Sequence, residues 1–298
     1  MSEIKLFELG SNTRERTASH VNFEKQLQQV VENNMELFFG VRFLKSEYVI
    51  ASGRMDSIGI DENNSPVIFE YKRTQNENVI NQGLFYLDWL LDHKADFKLL
   101  VIDQLGMEAA QQIDWSVPCV ICIANDFTKY DEHAVNQMQR NIKLVRYRKY
   151  GDDLILFEHL NAPDVHPVTD NDPTISIAGT STQRTHQEKI AAATDSLKSL
   201  YNSLCSYIES LGDDLIANQL KLYLAYKKIQ NVFCIELTNK KILVRLKLNP
   251  DDVVIEEGFT RDTRGIGHYG TGDLEISIKT DEDLEKAKPL LERAYNEA

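Results

Sequence analysis

The spacing of apolar residues predicts alternating helices and strands over the first 160 residues. Apolar positions close to helical spacing predict a first helix that begins at a cap, Ser19 or Asn22, runs to about Phe38 and ends at Gly40. The elements that follow are a strand over 41–50, a β-hairpin over 53–72 with its turn at 61–65, a helix over 77–93, a strand over 97–103, a helix over 107–112, a strand over 117–124, a helix over 131–139 and strands over 144–150 and 154–159. This order predicts an α/β (α+β) domain in which helices flank a mixed β-sheet.

A change of composition divides the chain. The segment from Asn161 to Arg184 is rich in Pro, Asp, Ser and Thr, which is typical of an interdomain linker. We therefore expect a first domain over 1–160, a linker over 161–185 and a smaller α+β domain over 186–298. The predicted elements of the second domain are helices over 187–211 and 213–228, strands over 232–237, 242–248 and 274–278, and a last helix over 281–296 capped by Thr280 or Asp281.

The predicted hairpin over 53–72 carries three charged residues that suit one chemistry. Residues two apart on a strand share a face, so Glu70 and Lys72 lie side by side, and the paired strand can bring Asp56 next to them. Two carboxylates and an ammonium among apolar residues suit metal-assisted hydrolysis of a phosphodiester, with Mg²⁺ or Mn²⁺ on the carboxylates and the lysine beside the attacking water. The alternative is a salt bridge across a surface hairpin.

Four segments, in this order, resemble the PD-(D/E)XK nuclease superfamily. Asp56 matches the first Asp of that family, and Glu70-Tyr71-Lys72 matches its (D/E)xK. Gln82 to Tyr86 is similar to the QxxxY motif of the RecB-like branch, and Phe23 to Leu27 resembles the first helix of that branch. Met55 stands before the Asp where the family name has Pro, at a position that varies within the family.

The resemblance covers about residues 20 to 160 and implies a restriction-endonuclease-like fold. It also implies a Mg²⁺-dependent endo- or exodeoxyribonuclease. The implied site consists of Asp56, Glu70, Lys72, Gln82 and Tyr86 as catalytic residues and Glu24, Asp56 and Glu70 as metal ligands. Glu32 or Glu36 is the alternative to Glu24, because only one end of the first helix can meet the site.

The charge of the chain gives two conflicting indications. The net charge of −13 argues against a nucleic-acid partner, because phosphate binding draws on a basic surface. The distribution of charge matters more than its sum, and residues 140–149 form a basic cluster. The candidate contacts to nucleic acid are Arg73, Arg140, Lys143, Arg146 and Arg148. A solvated edge strand protected by its charges explains the cluster about as well.

We therefore expect a metal-dependent nuclease whose substrate is DNA. Two alternatives stay open. One is RNA as the substrate of the same site, and the other is a non-catalytic nucleic-acid- or protein-binding module that keeps the nuclease fold.

The remaining composition favours a cytoplasmic protein without a membrane partner. No stretch approaches the roughly 18 apolar residues that span a membrane, and the N-terminus lacks the apolar core of a signal peptide. Cys119 and Cys122 form a C-x-x-C inside an apolar run without a second Cys or His pair at zinc spacing, so we interpret them as buried small hydrophobic residues.

A Gly-rich segment over 261–273 lies between strands of the second domain. Backbone N–H groups of such a segment can cradle an anion, but a turn-rich hairpin loop is the favoured interpretation. The runs over 267–275 and 286–295 resemble the DUF5655 family, which implies a binding or assembly role and leaves a homo-oligomer open. The candidate contacts of this domain are Arg261, Arg264 and His268.

Overall fold

The computed structural model describes residues 4–9, 12–19, 24–72, 79–138, 140–161, 184–266 and 268–298. Within these ranges the chain forms two compact units. The first contains the residues up to 161 except 62–64 and 114–117, and the second contains those two short segments together with the residues from 184 onward. Apart from its ends, the predicted linker lies outside the described residues.

The first unit combines a mixed sheet with helices. In chain order its elements are β1 Leu6–Glu8, β2 Arg14–Arg16, β3 Ala18–Ser19, α1 Glu24–Asn33, α2 Met35–Phe39, β4 Val41–Ile50, β5 Gly53–Asp61, β6 Pro66–Lys72, α3 Val79–Asp92, α4 Lys94–Leu105, α5 Met107–Gln111, β7 Cys119–Ala124, α6 Lys129–Gln137, β8 Asn141–Tyr150 and β9 Leu154–His159. The main sheet has the order β3-β8-β7-β6-β5-β4, with β9 also paired to β8. β6, β7 and β8 run parallel, and β4, β5 and β6 alternate in direction. The predicted mixed sheet flanked by helices is confirmed.

The first two helices cover one face of this sheet. Leu27 and Val31 of α1 and Met35 and Phe39 of α2 are buried against it. Their partners on the strands are Val67, Phe69, Tyr71, Cys119, Ile121, Ile123, Val145 and Tyr147. Each buried side chain of this size contributes roughly 1.5–3 kcal/mol, so this layer fixes the position of α1 against the sheet.

Helix α3 covers the opposite face. A Cβ at Gly83 would lie 2.6 Å from Cγ1 of Val120 on β7, so a glycine is needed for this close approach. The approach brings Gln82 and Tyr86 of α3 to the sheet face on which the even-numbered residues of β6 point.

The predicted strand over 97–103 is wrong, because the segment belongs to helix α4. Phe97 and Val101, four residues apart, are buried, whereas Leu99 between them is 63% exposed. Such one-sided burial is typical of a surface helix. A short, nearly continuous apolar run fits either element, and only the contacts of the fold decide between them.

The predicted first helix is interrupted at Asn34, between α1 and α2. Of its two predicted caps, Ser19 lies in β3 and Asn22 lies outside the described residues. Gly40 ends the helix as predicted: its φ of 64° is left-handed, and its N–H donates to the carbonyl oxygen of Glu36 at 2.9 Å.

The second unit places helices on an antiparallel sheet. Its elements are α7 His186–Ala192, α8 Asp195–Ser210, β10 Ile216–Gln219, β11 Leu224–Lys227, β12 Asn231–Leu237, β13 Ile242–Leu246, a 3₁₀ turn Pro250–Asp252, β14 Thr260–Asp262, β15 Leu274–Ile278 and α9 Asp281–Glu297. The strand order is β10-β11-β12-β13-β15-β14. Thr280 caps α9 as predicted, in a capping box with Asp283. Every helix in the described ranges of the chain is too short or too polar to traverse a lipid bilayer.

Two predictions for the second unit are wrong. The segment over 213–228 is not a helix but the hairpin β10–β11, in which Gln219 pairs with Leu224. All four residues of β11 are buried, so the strand lacks the alternation that would have revealed it. The single helix predicted over 187–211 is two helices, because Thr194 caps a new one at Asp195.

Candidate functional site

Asp56, Glu70 and Lys72 come together on the antiparallel pair β5–β6. Ser57 lies opposite Phe69 in this pair, so Asp56 and Glu70 are the next two residues of the ladder. The backbone N–H of Asp56 donates to Oε1 of Glu70 at 3.3 Å. Lys72 follows two residues after Glu70 and shares its face. The structure thus brings the three side chains to one face of the sheet.

The carboxyl group of Glu70 is buried beside a second carboxyl group, that of Asp56. The residue is 0% exposed, and its Oε2 has no hydrogen-bond partner among the residues that the structure describes. Burial and then the negative charge of Asp56 raise the pKa of Glu70 to about 9, while the charge of Lys72 opposes the rise. A buried carboxylate with an open oxygen and a raised pKa would be stabilised by a further cation.

Asp56 has a similar environment. Its Oδ2 accepts the N–H of Tyr71 at 3.0 Å. Burial raises its pKa most, and the negative charges of Glu24 and Glu47 add to the rise, whereas the Tyr71 N–H and Lys72 lower it. Two neighbouring carboxyl groups therefore both have raised pKa values.

Glu24 is the first residue of α1, and its charge acts on Asp56. Glu32 is engaged elsewhere, because its Oε1 accepts from Oγ of Ser57 at 2.6 Å and from Nε2 of Gln28 at 2.9 Å. Ser57 and Asp56 point to opposite faces of β5. The start of α1 is therefore the end that approaches the site, which favours Glu24 over the later acidic residues of this segment.

The donor atoms of the site fit an ion held by few protein ligands. Asp56 and Glu70 offer carboxylate oxygens, which Mg²⁺ prefers, and Mg²⁺ needs only one or two of them when waters complete its shell. In the described part of the chain, no group of three or more His, Cys, Asp or Glu side chains is arranged to hold a metal ion. Glu24 stays a predicted third carboxylate, as a direct ligand or through a water.

Gln82 and Tyr86 form a pair that acts on the start of β5. Nε2 of Gln82 donates to Oη of Tyr86 at 3.2 Å, and the backbone N–H of Arg54 donates to the same oxygen at 3.2 Å. A Cβ at Gly53 would lie only 2.8 Å from Oη, so the glycine admits the ring. The pair holds the backbone two residues before Asp56, which makes both side chains positioning residues.

The basic cluster is partly internal, which corrects the prediction for Arg146. This residue is buried, and its guanidinium donates to Glu158 at 2.7 Å and to Asp126 at 3.0 Å. It stabilises the unit and is not placed to grip a phosphate. The edge-strand alternative is also wrong, because β8 is flanked by β7 and β9.

The other basic candidates of the first unit remain predicted contacts. Arg140 lies 3.4 Å from Asp88, and both side chains are exposed. Lys143 and Arg148 are half-buried on β8. Arg73 lies outside the described residues.

Two candidates of the second unit have internal partners. The guanidinium of Arg264 donates to Asp251 and to Asp262, each at 2.7 Å. Nδ1 of His268 lies 3.1 Å from the carbonyl oxygen of Gly270. These contacts hold the loop itself, and whether either residue also contacts a partner stays a prediction.

The Gly-rich segment closes as a loop between β14 and β15. The backbone N–H of Thr263 donates to the carbonyl oxygen of Asp273 at 2.8 Å. The hydroxyl of Thr263 donates to the carbonyl oxygen of Gly272 at 3.1 Å. Arg261 lies at the base of the loop, exposed and opposite Glu275 on β15. These contacts agree with the hairpin-loop interpretation.

Cys119 and Cys122 lie within β7 and are both buried. Burial, followed by the charge of Glu70, raises the pKa of the Cys122 thiol, so the thiolate that redox or zinc chemistry needs is disfavoured. The interpretation of both residues as buried small hydrophobic side chains is confirmed.

Three residues near the site were not predicted from the sequence. Gln28, on α1, donates from Nε2 to the backbone oxygen of Asp56 at 2.9 Å. Glu47 acts on Asp56 from β4. Arg54 precedes Asp56 by two residues, and this spacing on a strand was a usable signal because such residues share a face.

Two family models match separate parts of the chain. Residues 23–114 match the endonuclease NucS C-terminal domain, and residues 187–298 match the domain of unknown function DUF5655. An uncharacterized protein of Haemophilus influenzae is 29% identical over 282 residues, which cover 92% of this chain and 93% of that protein. The chain is thus similar to a nuclease domain in its first part and to DUF5655 in its second, while the RecB-like QxxxY branch stays a prediction.

Two kinds of solved structure are also similar to the chain. A repair endonuclease from Pyrococcus abyssi is 12% identical, with a TM-score of 0.29 over 48% of this chain and 65% of that one. A complex of EndoMS with double-stranded DNA is 15% identical, with a TM-score of 0.26 over 48% and 64%. The chain spans less than two thirds of the length of these structures.

Proposed function

We propose that this chain is a metal-dependent nuclease that hydrolyses phosphodiester bonds in DNA. The observation that carries the proposal is the buried carboxyl group of Glu70, whose open Oε2 lies beside a second carboxyl group, Asp56. Such a pair destabilises the fold unless a cation joins it. The match of residues 23–114 to an endonuclease domain supports the same class of activity.

Each residue near the pair has a role in this proposal. Asp56 and Glu70 would hold Mg²⁺ or Mn²⁺, with Glu24 as a further carboxylate. The ion would supply charge stabilisation at the phosphoryl oxygens and a more acidic water. Lys72 would orient the attacking water and offset the negative charge that develops. Tyr86 keeps the start of β5 in place for Asp56.

The test is a cleavage assay on the full chain with Mg²⁺ or Mn²⁺. Single-stranded, branched and duplex DNA and RNA of the same sequence are offered separately. We expect the wild type to cut DNA, and Asp56→Asn to lose more than about a hundredfold in rate because it removes a metal ligand. Asp103→Asn removes the same charge from an exposed position on α4 and should cut like the wild type.

The net charge of −13 is the observation that favours a non-catalytic binding module instead. Intact DNA with both ions, together with calorimetry that detects no Mn²⁺ binding in the presence of a DNA oligonucleotide, would establish that alternative. If the protein cuts RNA and leaves DNA intact, the proposed phosphodiester hydrolysis holds, but the substrate is RNA.

A further inference from the structure

Arg54 places a cationic side chain on the same strand as Asp56. The two residues are two apart on β5 and therefore share a face. The side chain of Arg54 is 57% exposed, so its guanidinium is accessible from solvent. Asp56 is half-buried on the same face, next to Glu70. The accessible guanidinium therefore lies on the sheet face that carries the carboxyl pair.

The backbone of Arg54 is held firmly. Its N–H donates to Oη of Tyr86 at 3.2 Å, and Gln82 donates to the same oxygen. Gly53, directly before it, packs against the ring of Tyr86. The Gln82–Tyr86 pair therefore fixes the start of the Arg54 side chain together with the strand that carries Asp56.

The guanidinium of Arg54 is held by Glu47. Nη1 lies 2.5 Å from Oε2 of Glu47 on β4. Ser46 pairs with Ser57, and Tyr48 pairs with Met55. Glu47 therefore lies across from Asp56 in the ladder.

The backbone of Glu47 is strained. Its φ of 54° is left-handed, which costs a residue other than glycine roughly 1–3 kcal/mol and which recurs at binding sites. An exposed ion pair contributes at most about 1 kcal/mol to the free energy of unfolding. The stability of the ion pair is therefore a poor explanation for this geometry.

A phosphate is a stronger partner for the guanidinium than a single carboxylate at the surface, because it offers several anionic oxygens in a geometry that suits bidentate hydrogen bonds. We propose that Arg54 binds a DNA backbone phosphate next to the phosphodiester that is cut, and that Glu47 holds the guanidinium in place until the phosphate displaces it. This inference rests on the proposed nuclease function.

The test measures binding of a duplex DNA oligonucleotide by the full chain at several salt concentrations. All variants carry Asp56→Asn, so that binding is measured without cleavage. Arg54→Gln should bind about tenfold more weakly, because a hydrogen-bonded charge pair is lost. Its slope of log K against log salt should be smaller by about 0.9, the value of one phosphate contact.

Three further variants separate the parts of the proposal. Arg54→Lys should keep the slope and bind more weakly than arginine, since it keeps the charge without the planar fork. Glu47→Gln should bind more tightly at an unchanged slope, because the competing carboxylate is gone. Arg293→Gln removes a half-buried arginine of the second unit that pairs with Glu297 and with the carbonyl oxygen of Asp252, and it should match the parent in both quantities.

The outcomes distinguish this inference from the function on which it rests. If the parent binds DNA and Arg54→Gln has the same affinity and slope, Arg54 is not a phosphate contact. If Glu47→Gln weakens binding as Arg54→Gln does, the displacement of Glu47 by phosphate is excluded. If the parent binds no DNA under any of the salt conditions and the wild type cuts none in the cleavage assay, the proposed function fails as well.

Discussion

In the first unit the buried carboxyl group of Glu70 lies beside the carboxyl group of Asp56. In the second unit the buried carboxyl group of Glu275 instead lies 3.0 Å from the guanidinium of Arg245. Arg245 also reaches Glu236 at 3.4 Å. Both arrangements place charged side chains inside a sheet, but Glu275 has a guanidinium beside it, whereas Glu70 has a second carboxyl group beside it.

The balance of charge explains why the two arrangements differ. Lys189 lies 3.1 Å from Glu236, so the cluster in the second unit has two carboxylates and two cations. In the first unit Asp56 and Glu70 share the charge of Lys72. A balanced cluster can be a structural element of the fold. An unbalanced pair of carboxyl groups indicates a ligand that supplies the missing charge.

The largest effects are expected when Glu70, in the carboxyl pair of the first unit, is replaced by Gln. Cleavage should fall by more than about a hundredfold, because a metal ligand is lost. Without metal the first unit of the variant should melt at a higher temperature at pH 8, since Gln needs neither a buried charge nor a proton taken up on folding. Added Mn²⁺ should raise the melting temperature of the wild type and not that of the variant. Scanning calorimetry with and without Mn²⁺ measures these shifts.

Glu108→Gln is the matched control, because it removes a carboxylate from an exposed position on α5. It should leave both cleavage and the Mn²⁺-induced shift as in the wild type. A Glu70→Gln protein that melts at a lower temperature than the wild type without metal would show that Glu70 stabilises the fold and would weaken the comparison.

Replacing Arg245 by Met should have the opposite effect on stability. It leaves Glu236 and Glu275 without their shared partner and should cost about 3–5 kcal/mol in the free energy of unfolding of the second unit. Arg293→Met breaks a surface pair with Glu297 and a hydrogen bond to the carbonyl oxygen of Asp252, and should cost only about 1 kcal/mol. Denaturant unfolding measures both values, and equal losses would mean that burial of the cluster contributes nothing.

The fold could be predicted where local signals coincide with the final contacts. Val41–Ile50 was predicted to the residue, because Gly40 ends the preceding helix and residues that favour strands begin directly after it. The segment over 97–103 carries no such boundary, and Gly212, directly before the segment over 213–228, marks the end of a helix without indicating which element follows. Leu99 is exposed and β11 is buried on both faces because of the elements packed around them, and spacing along the chain does not encode those neighbours.

The pairing of strands predicted the site only within one hairpin, and Gln82, Tyr86 and Glu24 were expected from the family resemblance alone. Asp56 and Glu70 meet because a short turn fixes the register of two adjacent strands, and that register follows from the sequence pattern. Glu47 and Gln28 approach Asp56 from β4 and α1, whose positions depend on packing across the sheet. The charge of Arg146 suggested a phosphate contact, but its burial between two carboxylates is a property of the folded unit.

We also expect the stabilities of the two units to change with pH in opposite directions. The pKa of Glu70 is about 9 in the folded first unit and 4.5 without its surroundings. Between these values the folded unit holds a proton that the unfolded chain has released. The stability of the metal-free unit should therefore fall as the pH rises through this range, by at most about 1.4 kcal/mol per pH unit. Glu70→Gln should remove this slope.

His186 gives the second unit the reverse dependence. Its Nε2 lies 3.0 Å from Oη of Tyr201, and burial, followed by the charge of Lys189, lowers its pKa from 6.5 to about 4, while Glu236 opposes the shift. Between these values the unfolded chain binds a proton that the folded unit excludes. Stability should therefore be complete above pH 6.5 and fall as the pH drops toward 4. Hydrogen exchange of peptides from each unit, corrected for the intrinsic rate at each pH, measures both slopes. His186→Gln should remove the loss of stability of the second unit below pH 6.5. If both units lose stability as the pH changes in the same direction, the assignment of the two slopes to Glu70 and His186 is contradicted.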